Sequence, residues 1–308
     1  MRRFNIIVIL ALAWGLFCGG GAWSSTETLP DKATLSANRM RFDSQTGDFL
    51  ADGNVTITAG SLTVAAPRGS GNVGRREVLF EEGIVASGDW MGDRVDLEAG
   101  KLSLSFAQDP TCRFQGSVKG GVGALRLDAD RLTLIGIGGI TGEPKTQTKF
   151  WVVKARRLED RSRGLSFGAD AVEGILREGE LRTLTADRGV WLRGKPKEKG
   201  EAVSLKGNHA LYSAERGSVV LSGNVSAVQG GRTLKSESIV YFPDQNRVEA
   251  MGGAPVPGSR EVPASRAEIT IDLSREKKRS GNDKVPSSGE AKGSKGAGKG
   301  AGKKGSKK

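Results

Sequence analysis

The sequence is poor in the side chains that most often carry chemistry. Among 308 residues there are one histidine, two cysteines and four methionines, and aromatics make up 6%. The one histidine, His209, sits beside a turn in Lys206-Gly207-Asn208-His209, where it is surface decoration rather than a general base. No HExxH helix motif, CxxC pair or Walker loop occurs, which removes the usual zinc-hydrolase, thiol-redox and nucleotide-phosphate signatures. A GxSxG string does occur at residues 164–168, but no helical pattern follows it, so it lacks the strand-turn-helix context of a nucleophile elbow. Glycine pairs such as Gly120-Gly121 and Gly138-Gly139 also lack a following helix and make poor phosphate cradles. Carboxylates are scattered, as at Asp52, Asp128, Asp130, Asp170 and Asp187. The expectation is a non-enzyme with no catalytic residue, no metal and no cofactor.

Cysteine is scarce in a telling way. Residues 1–24 comprise a short basic start, an apolar run over residues 4–17 and then small residues, the composition of an export signal, with an uncleaved membrane anchor as the alternative. Cys18 lies in that segment. Its removal leaves Cys112 alone, so no internal disulfide can form and the fold must stand on its core.

Negative charge is missing from one end. The formal charge is +12, but residues 275–308 hold 12 basic and 3 acidic residues, and Arg2 and Arg3 add two more positive charges. Between them stand 33 basic and 32 acidic residues, so the body offers no field to steer a polyanion, and no nucleic-acid partner is expected. The Lys/Gly-rich tail, with a single valine and no aromatic, cannot bury enough apolar surface to offset its ordering entropy and is expected to be disordered. It reads either as a polybasic arm for an anionic membrane surface or as a solvating tail.

Helical periodicity is also lacking between about residues 33 and 273, whereas alternation with period two is everywhere, as in Leu102/Leu104/Phe106, Leu132/Leu134 and Val219/Leu221. Turn-formers punctuate it: residues 45–47, 52–54, 87–89, 178–180, 222–224 and 243–246. Spaced in this way they predict short strands in an antiparallel all-β fold. The apolar positions are mostly Val, Leu and Ile, which suits a thin, curled sheet with a slot between its faces, and suits a packed sandwich equally.

One unit occurs twice. At an offset of 170, Asn208 falls on Asn38, Tyr212 on Phe42, Gly217 on Gly47, Gly223-Asn224-Val225 on Gly53-Asn54-Val55, Gly230 on Gly60 and Leu234 on Val64. The second copy continues through Gln229-Gly230, Ile239-Val240-Tyr241 and Val248-Glu249-Ala250-Met251-Gly252. These residues resemble the periplasmic lipopolysaccharide-transport bridge family, also described as organic-solvent-tolerance-A-like, over about residues 33–88 and 203–253. In the first copy Ala59 stands where the second has Gln229.

The resemblance implies an elongated antiparallel β-jellyroll over residues 25–274, built from repeated hairpin units, with residues 90–200 read as extra rungs of the same sheet or as an inserted domain. It implies a carrier that shields the acyl chains of lipopolysaccharide or a related glycolipid in the periplasm of a two-membrane bacterium. An inner-membrane transport complex would meet one sheet edge and an outer-membrane translocon the other, with head-to-tail self-association as a further contact. Val55, Ile57, Leu62 and Val64 in the first unit and Val219, Leu221, Val225 and Leu234 in the second are then the expected interior lining. The competing expectations are an inner-membrane-anchored component of the same machinery and a structural β-repeat protein that binds no lipid.

Overall fold

The computed structural model describes residues 10–11, 32–106, 109–137, 147–195, 201–251 and 268–271. The export-signal reading, apart from residues 10–11, and the basic tail lie outside them. The described residues form seventeen strands, β1 (Leu10–Ala11), β2 (Ala33–Ser36), β3 (Arg39–Phe42), β4 (Asp48–Ala59), β5 (Leu62–Asn72), β6 (Glu77–Trp90), β7 (Asp93–Ser105), β8 (Thr111–Val122) and β9 (Leu125–Ile137) in the first part. There follow β10 (Gln147–Asp160), β11 (Leu165–Arg177), β12 (Glu180–Gly194), β13 (Val203–Ser213), β14 (Ser218–Gln229), β15 (Arg232–Phe242), β16 (Arg247–Met251) and β17 (Glu268–Ile271). From β4 to β15 each strand pairs antiparallel with the next, in one meander. Both ends split alike. β2 and β3 share β4 as partner, and β16 and β17 share β15.

The strands are longer than the turn-formers predict. Residues 52–54, 87–89 and 222–224, expected as turns, lie inside β4, β6 and β14. Residues 52–54 and 222–224 are creases where the strand bends and the register shifts without the pairing ending. The same device recurs in every even-numbered strand from β4 to β14. Gly53-Asn54, Glu82-Gly83, Gly116-Ser117, Arg188-Gly189 and Gly223-Asn224 all take positive φ, and β10 uses Lys154 alone. A two-residue left-handed step inserted opposite fewer partner residues is a bulge, and bulges bend sheets.

On the inner side of the crease the even strands place Val55, Ile84, Val118, Ala155, Val190 and Val225, all at most 4% exposed. The odd strands answer with a small residue: Ala66, Ala99, Ala129, Ala169, Gly207 and Ser236. After it, two consecutive residues fall off the inner face before apolar alternation resumes, as in Asp130-Arg131 between Ala129 and Leu132. The two arms converge here, so a valine facing an alanine fills the space that two large side chains would overfill. Outside, the crease is charged, with Arg39 and Arg68 both reaching Asp52 at 3.7 and 3.6 Å and the Arg156 guanidinium forked between Asp128 and Asp130. Such exposed pairs contribute little each. They keep the outer side of the bend in water.

The crease folds the sheet back on itself. β9 is 13 residues long, about 40 Å if straight, and β11 is as long. Yet the β8–β9 turn at one end of β9 touches the β11–β12 turn at the opposite end of β11, where the Ala124 N–H donates to the Gly179 carbonyl at 2.7 Å. The result is an antiparallel β-jellyroll with two arms around one interior. We call arm A the side with the turns near residues 43–47, 73–76, 178–179, 214–217 and 243–246, and arm B the side with those near 60–61, 91–92, 123–124, 161–164 and 230–231.

The repeat at offset 170 is visible in space. A Cβ on Gly53 would meet the Asn38 side chain at 2.8 Å, and one on Gly223 would meet Asn208 at 3.0 Å. The Asn38 N–H also donates to the Gly53 carbonyl at 2.8 Å.

Two stability predictions follow from the crease. Ala129→Leu overfills its inner side and should lower stability by about 1–3 kcal/mol. Asn224→Val forces a β-branched residue into left-handed geometry and should cost about 1–2 kcal/mol, whereas Asn224→Gly should stay within about 1 kcal/mol of the parent. Guanidinium unfolding midpoints measure all three, and equal midpoints for the Val and Gly variants would refute the crease assignment.

Candidate functional site

The interior is built from rows of side chains that cross the whole sheet. In arm B one row reads Leu35, Ile57, Val64, Ala86, Leu97, Gly120, Leu127, Leu158, Phe167, Leu192, Leu205, Ala227 and Leu234, each the direct cross-strand partner of the next. It contains no polar side chain. In arm A a matching row includes Ala51, Gly69, Phe80, Leu102, Phe114, Leu132, Val152, Val172, Ala186, Ala210, Leu221 and Ile239. Period-two alternation puts these residues on one face, and antiparallel register keeps them level from strand to strand. Eleven steps from β4 to β15 at about 4.8 Å give an apolar track roughly 50 Å long.

Of the eight residues the sequence singled out, Val55, Ile57, Leu62, Val64, Val219, Leu221 and Val225 are buried in this interior, and Leu234 is partly buried against it. They mark its two ends. Its middle, supplied by Leu97, Leu102, Phe114, Leu132, Leu158 and Leu205, is fully buried as well.

The two arms are in contact. Between them, lined by Leu165, Phe167, Val190 and Leu192 of arm B and Leu181, Leu184, Tyr212 and Val219 of arm A, there is a void of about 10 Å³, the lower limit for a single water. At this place the arms are packed together with no room for a hydrocarbon chain. The larger hollows lie outside: adjoining troughs of about 660 and 610 Å³ over β3–β6 share Arg41, Leu50, Ser70 and Leu79. Leu50 is 60% exposed on the sheet's outer face. These troughs are open to solvent and lined by charges of both signs.

No reactive constellation emerges among the described residues. His209 is exposed, with Nδ1 2.6 Å from Asp187 across the crease. The GxSxG string at 164–168 spans a turn and the start of β11, with no helix after it. Cys112 is buried, and burial pushes its thiol well above the usual range, which makes it inert. No group of three or more His, Cys, Asp or Glu that could hold a metal occurs among the described residues, and no helix there is long and apolar enough to cross a membrane.

Two buried acids were missed in the sequence reading: Asp160, which is satisfied locally by Ser162 and Arg163, and Asp93. Asp93 is 1% exposed, and its Oδ1 accepts the Gly179 N–H at 2.6 Å across 86 residues of chain. Burial pushes its carboxyl above the ordinary carboxylate range, against the pull of the Thr148 hydroxyl and the Gly179 N–H. Nothing in the local sequence distinguishes Asp93 from the exposed acids around it, because its partner comes from the other arm.

These features define a class, a doubled antiparallel sheet around a continuous aliphatic interior. Residues 96–247 match the family model described as "LptA/(LptD N-terminal domain) LPS transport protein", and the chain is a member of this LptA/OstA-like family. The match runs from β7 through β15, taking in the middle rungs and most of the second copy of the repeat, while the first copy lies ahead of it. Among solved structures the chain is similar to the crystal structure of LptH, the LptA-homologous periplasmic component of the conserved lipopolysaccharide transport device from Pseudomonas aeruginosa. That likeness is at 14% identity, over 78% of this chain and 94% of that one, with a TM-score of 0.26. No curated protein matches the sequence.

Asp93 yields a pH prediction. A carboxyl whose native pKa is raised holds its proton more tightly when folded than when unfolded. Stability is therefore greatest below the ordinary carboxylate value, about 4, and falls as pH rises through the raised native value. Asp93→Asn keeps a carbonyl to accept the Gly179 N–H and removes the titration. The stability gap between variant and parent should widen in the variant's favour from pH 4 toward neutrality, as read from denaturant titrations across that range. Parallel curves would contradict the burial assigned to Asp93.

Proposed function

We propose that this protein is a non-enzymatic carrier in lipopolysaccharide transport, working in the periplasm between inner and outer membranes. The observation that carries this reading is the arm-B row, which crosses the whole meander from β4 to β15 without one polar side chain. Family membership supports it independently. An acyl chain held there gains about 0.8 kcal/mol per methylene relative to water, while sugars and phosphates stay outside, where the crease and strand faces are charged. The lining begins with Val55, Ile57, Leu62 and Val64 and ends with Val219, Leu221, Val225 and Leu234.

In this reading residues 1–24 direct export, or anchor the chain in the inner membrane, and N-terminal sequencing of the mature protein separates the two. The split edges, β3 on β4 beside a β2 that pairs in part with β1, and β16/β17 on β15, offer backbone groups to neighbouring sheets, one toward the inner-membrane complex and the other toward the outer-membrane translocon. Further copies of the chain could join head to tail by the same edges.

A second reading, a structural sheet that binds no lipid, is favoured by one observation, the 10 Å³ void between the arms. A photo-crosslinking side chain at Val55 or Val225, with outward controls at Thr58 and Val228, decides between them in cells. The carrier reading expects lipopolysaccharide adducts at the inward pair alone. Adducts at neither, in protein that is exported and folded, would leave a packed structural sheet.

A further inference from the structure

The carrier reading sets a problem that the structure itself answers. Where the arms meet over β11 to β14 the interior has no room for a hydrocarbon chain, so cargo can be seated there only if the arms part. Along most of the molecule they cannot do so cheaply, since every strand from β4 to β15 is hydrogen-bonded to both neighbours along its length and the crease joins the arms covalently. The remaining boundary is the seam where the turns of arm B meet those of arm A.

That seam is built regularly. Met91, at the β6–β7 turn, lies against Gly136 near the end of β9, where a Cβ on the glycine would stand 2.7 Å from Met91 Cγ. Asp93 and Ala124, from the β6–β7 and β8–β9 turns, both bond Gly179 at the β11–β12 turn. The Arg163 guanidinium, at the β10–β11 turn, covers the Tyr212 ring at 5.5 Å near the end of β13. Asn246 Nδ2, after β15, donates to the Glu201 carbonyl ahead of β13 at 3.1 Å. In these contacts an arm-B turn meets arm A about three strands further along the chain, except that Asp93 reaches Gly179 five strands on.

We propose that this seam is a lateral lip, latched by Asp93, Ala124 and Gly179, through which the acyl chains of the cargo enter and leave the interior as the arms swing about the crease. The proposal rests on the carrier reading and specifies its route. Three observations single out the lip as the line that opens. It is held by isolated contacts rather than by a backbone ladder. Its central acceptor is a buried carboxylate, which regains water when the lip parts, so opening returns part of what the lost hydrogen bond takes away. Beside it the Trp90 indole Nε1 is buried with no hydrogen-bond partner, a group better satisfied in an opened state. The hinge is equally defined, because six strands carry left-handed residues on one line.

The test is a reversible cross-link over the lip. In a Cys112→Ala background, Met91→Cys with Gly136→Cys places two thiols across the seam, with Cβ atoms at a separation suited to a disulfide. Thr58→Cys with Thr63→Cys, direct partners on β4 and β5 within arm B, gives the same chemistry without spanning it. The readout is uptake of a fluorescent lipopolysaccharide by purified protein, oxidised and then reduced. The lip predicts at least tenfold slower uptake in the oxidised Met91/Gly136 pair, recovery on reduction, and no redox effect in the control pair. Equal uptake in both redox states would overturn the lip and leave the carrier standing, with loading through the ends of the sheet. No uptake by the reduced or parent protein would overturn the carrier and the lip with it. Asp93→Ala, which removes the latch acceptor without a cross-link, should load several-fold faster than the parent; an unchanged rate would also count against the latch.

Discussion

The constraint on which the whole structure depends is that a sheet folded double must keep its backbone hydrogen bonds while it bends. Opening the ladder at the bend would leave polar groups unpaired against an aliphatic interior, where each is costly. The chain avoids this by bending within strands, with left-handed residues in the even strands opposite a two-residue outward step in the odd ones. Pairing resumes on the far side, and the inner face is again apolar. All else follows from the bend. Valine faces alanine inside it, charge lies outside it, and the turns of the two arms are brought within reach of one another.

Much of this was legible in the sequence, and the errors have a common cause. Alternation identified the strands, and the offset of 170 identified two equivalent units whose Asn38/Gly53 and Asn208/Gly223 contacts are the same contact made twice. Residues 52–54 and 222–224 were read as hairpin turns because Gly, Asn and Asp tolerate the positive φ that tight turns need, and a crease uses the same left-handed backbone. The other creases escaped notice because Glu82-Gly83, Gly116-Ser117, Lys154 and Arg188-Gly189 share a conformation but no common residue pair. A second signal was present in the odd strands, where a small residue is followed by two outward positions and then an apolar one, as in Ala99 to Leu102 and Ala169 to Val172. It marks four of the creases that the Gly-Asn pair does not.

The interior lining was legible as a face but not as an extent. Val55 and Val225 stood out because the repeat surrounds them with recognisable glycines, yet the middle rungs carry the same row with fewer markers. The seam was not legible at all. Asp93 and Gly179 are 86 residues apart and in different arms, and no periodicity relates them.

The same geometry decides what kind of interior this can be. The arm-B row is mostly Val, Leu, Ile and Ala, with one Phe and no polar side chain, so it offers no polar group to fix a ligand at one point. A site built for one ligand would instead place a few convergent polar groups in an apolar pocket. A uniform wall suits contact that can shift along it, because a methylene moved by one strand spacing meets the same surface it left. The closed state then has a natural role. With the arms in contact the wall is kept from water, and in the proposed carrier hydrocarbon that separates them would replace one set of aliphatic contacts with another. The net cost of separation is concentrated in the few polar contacts along the seam.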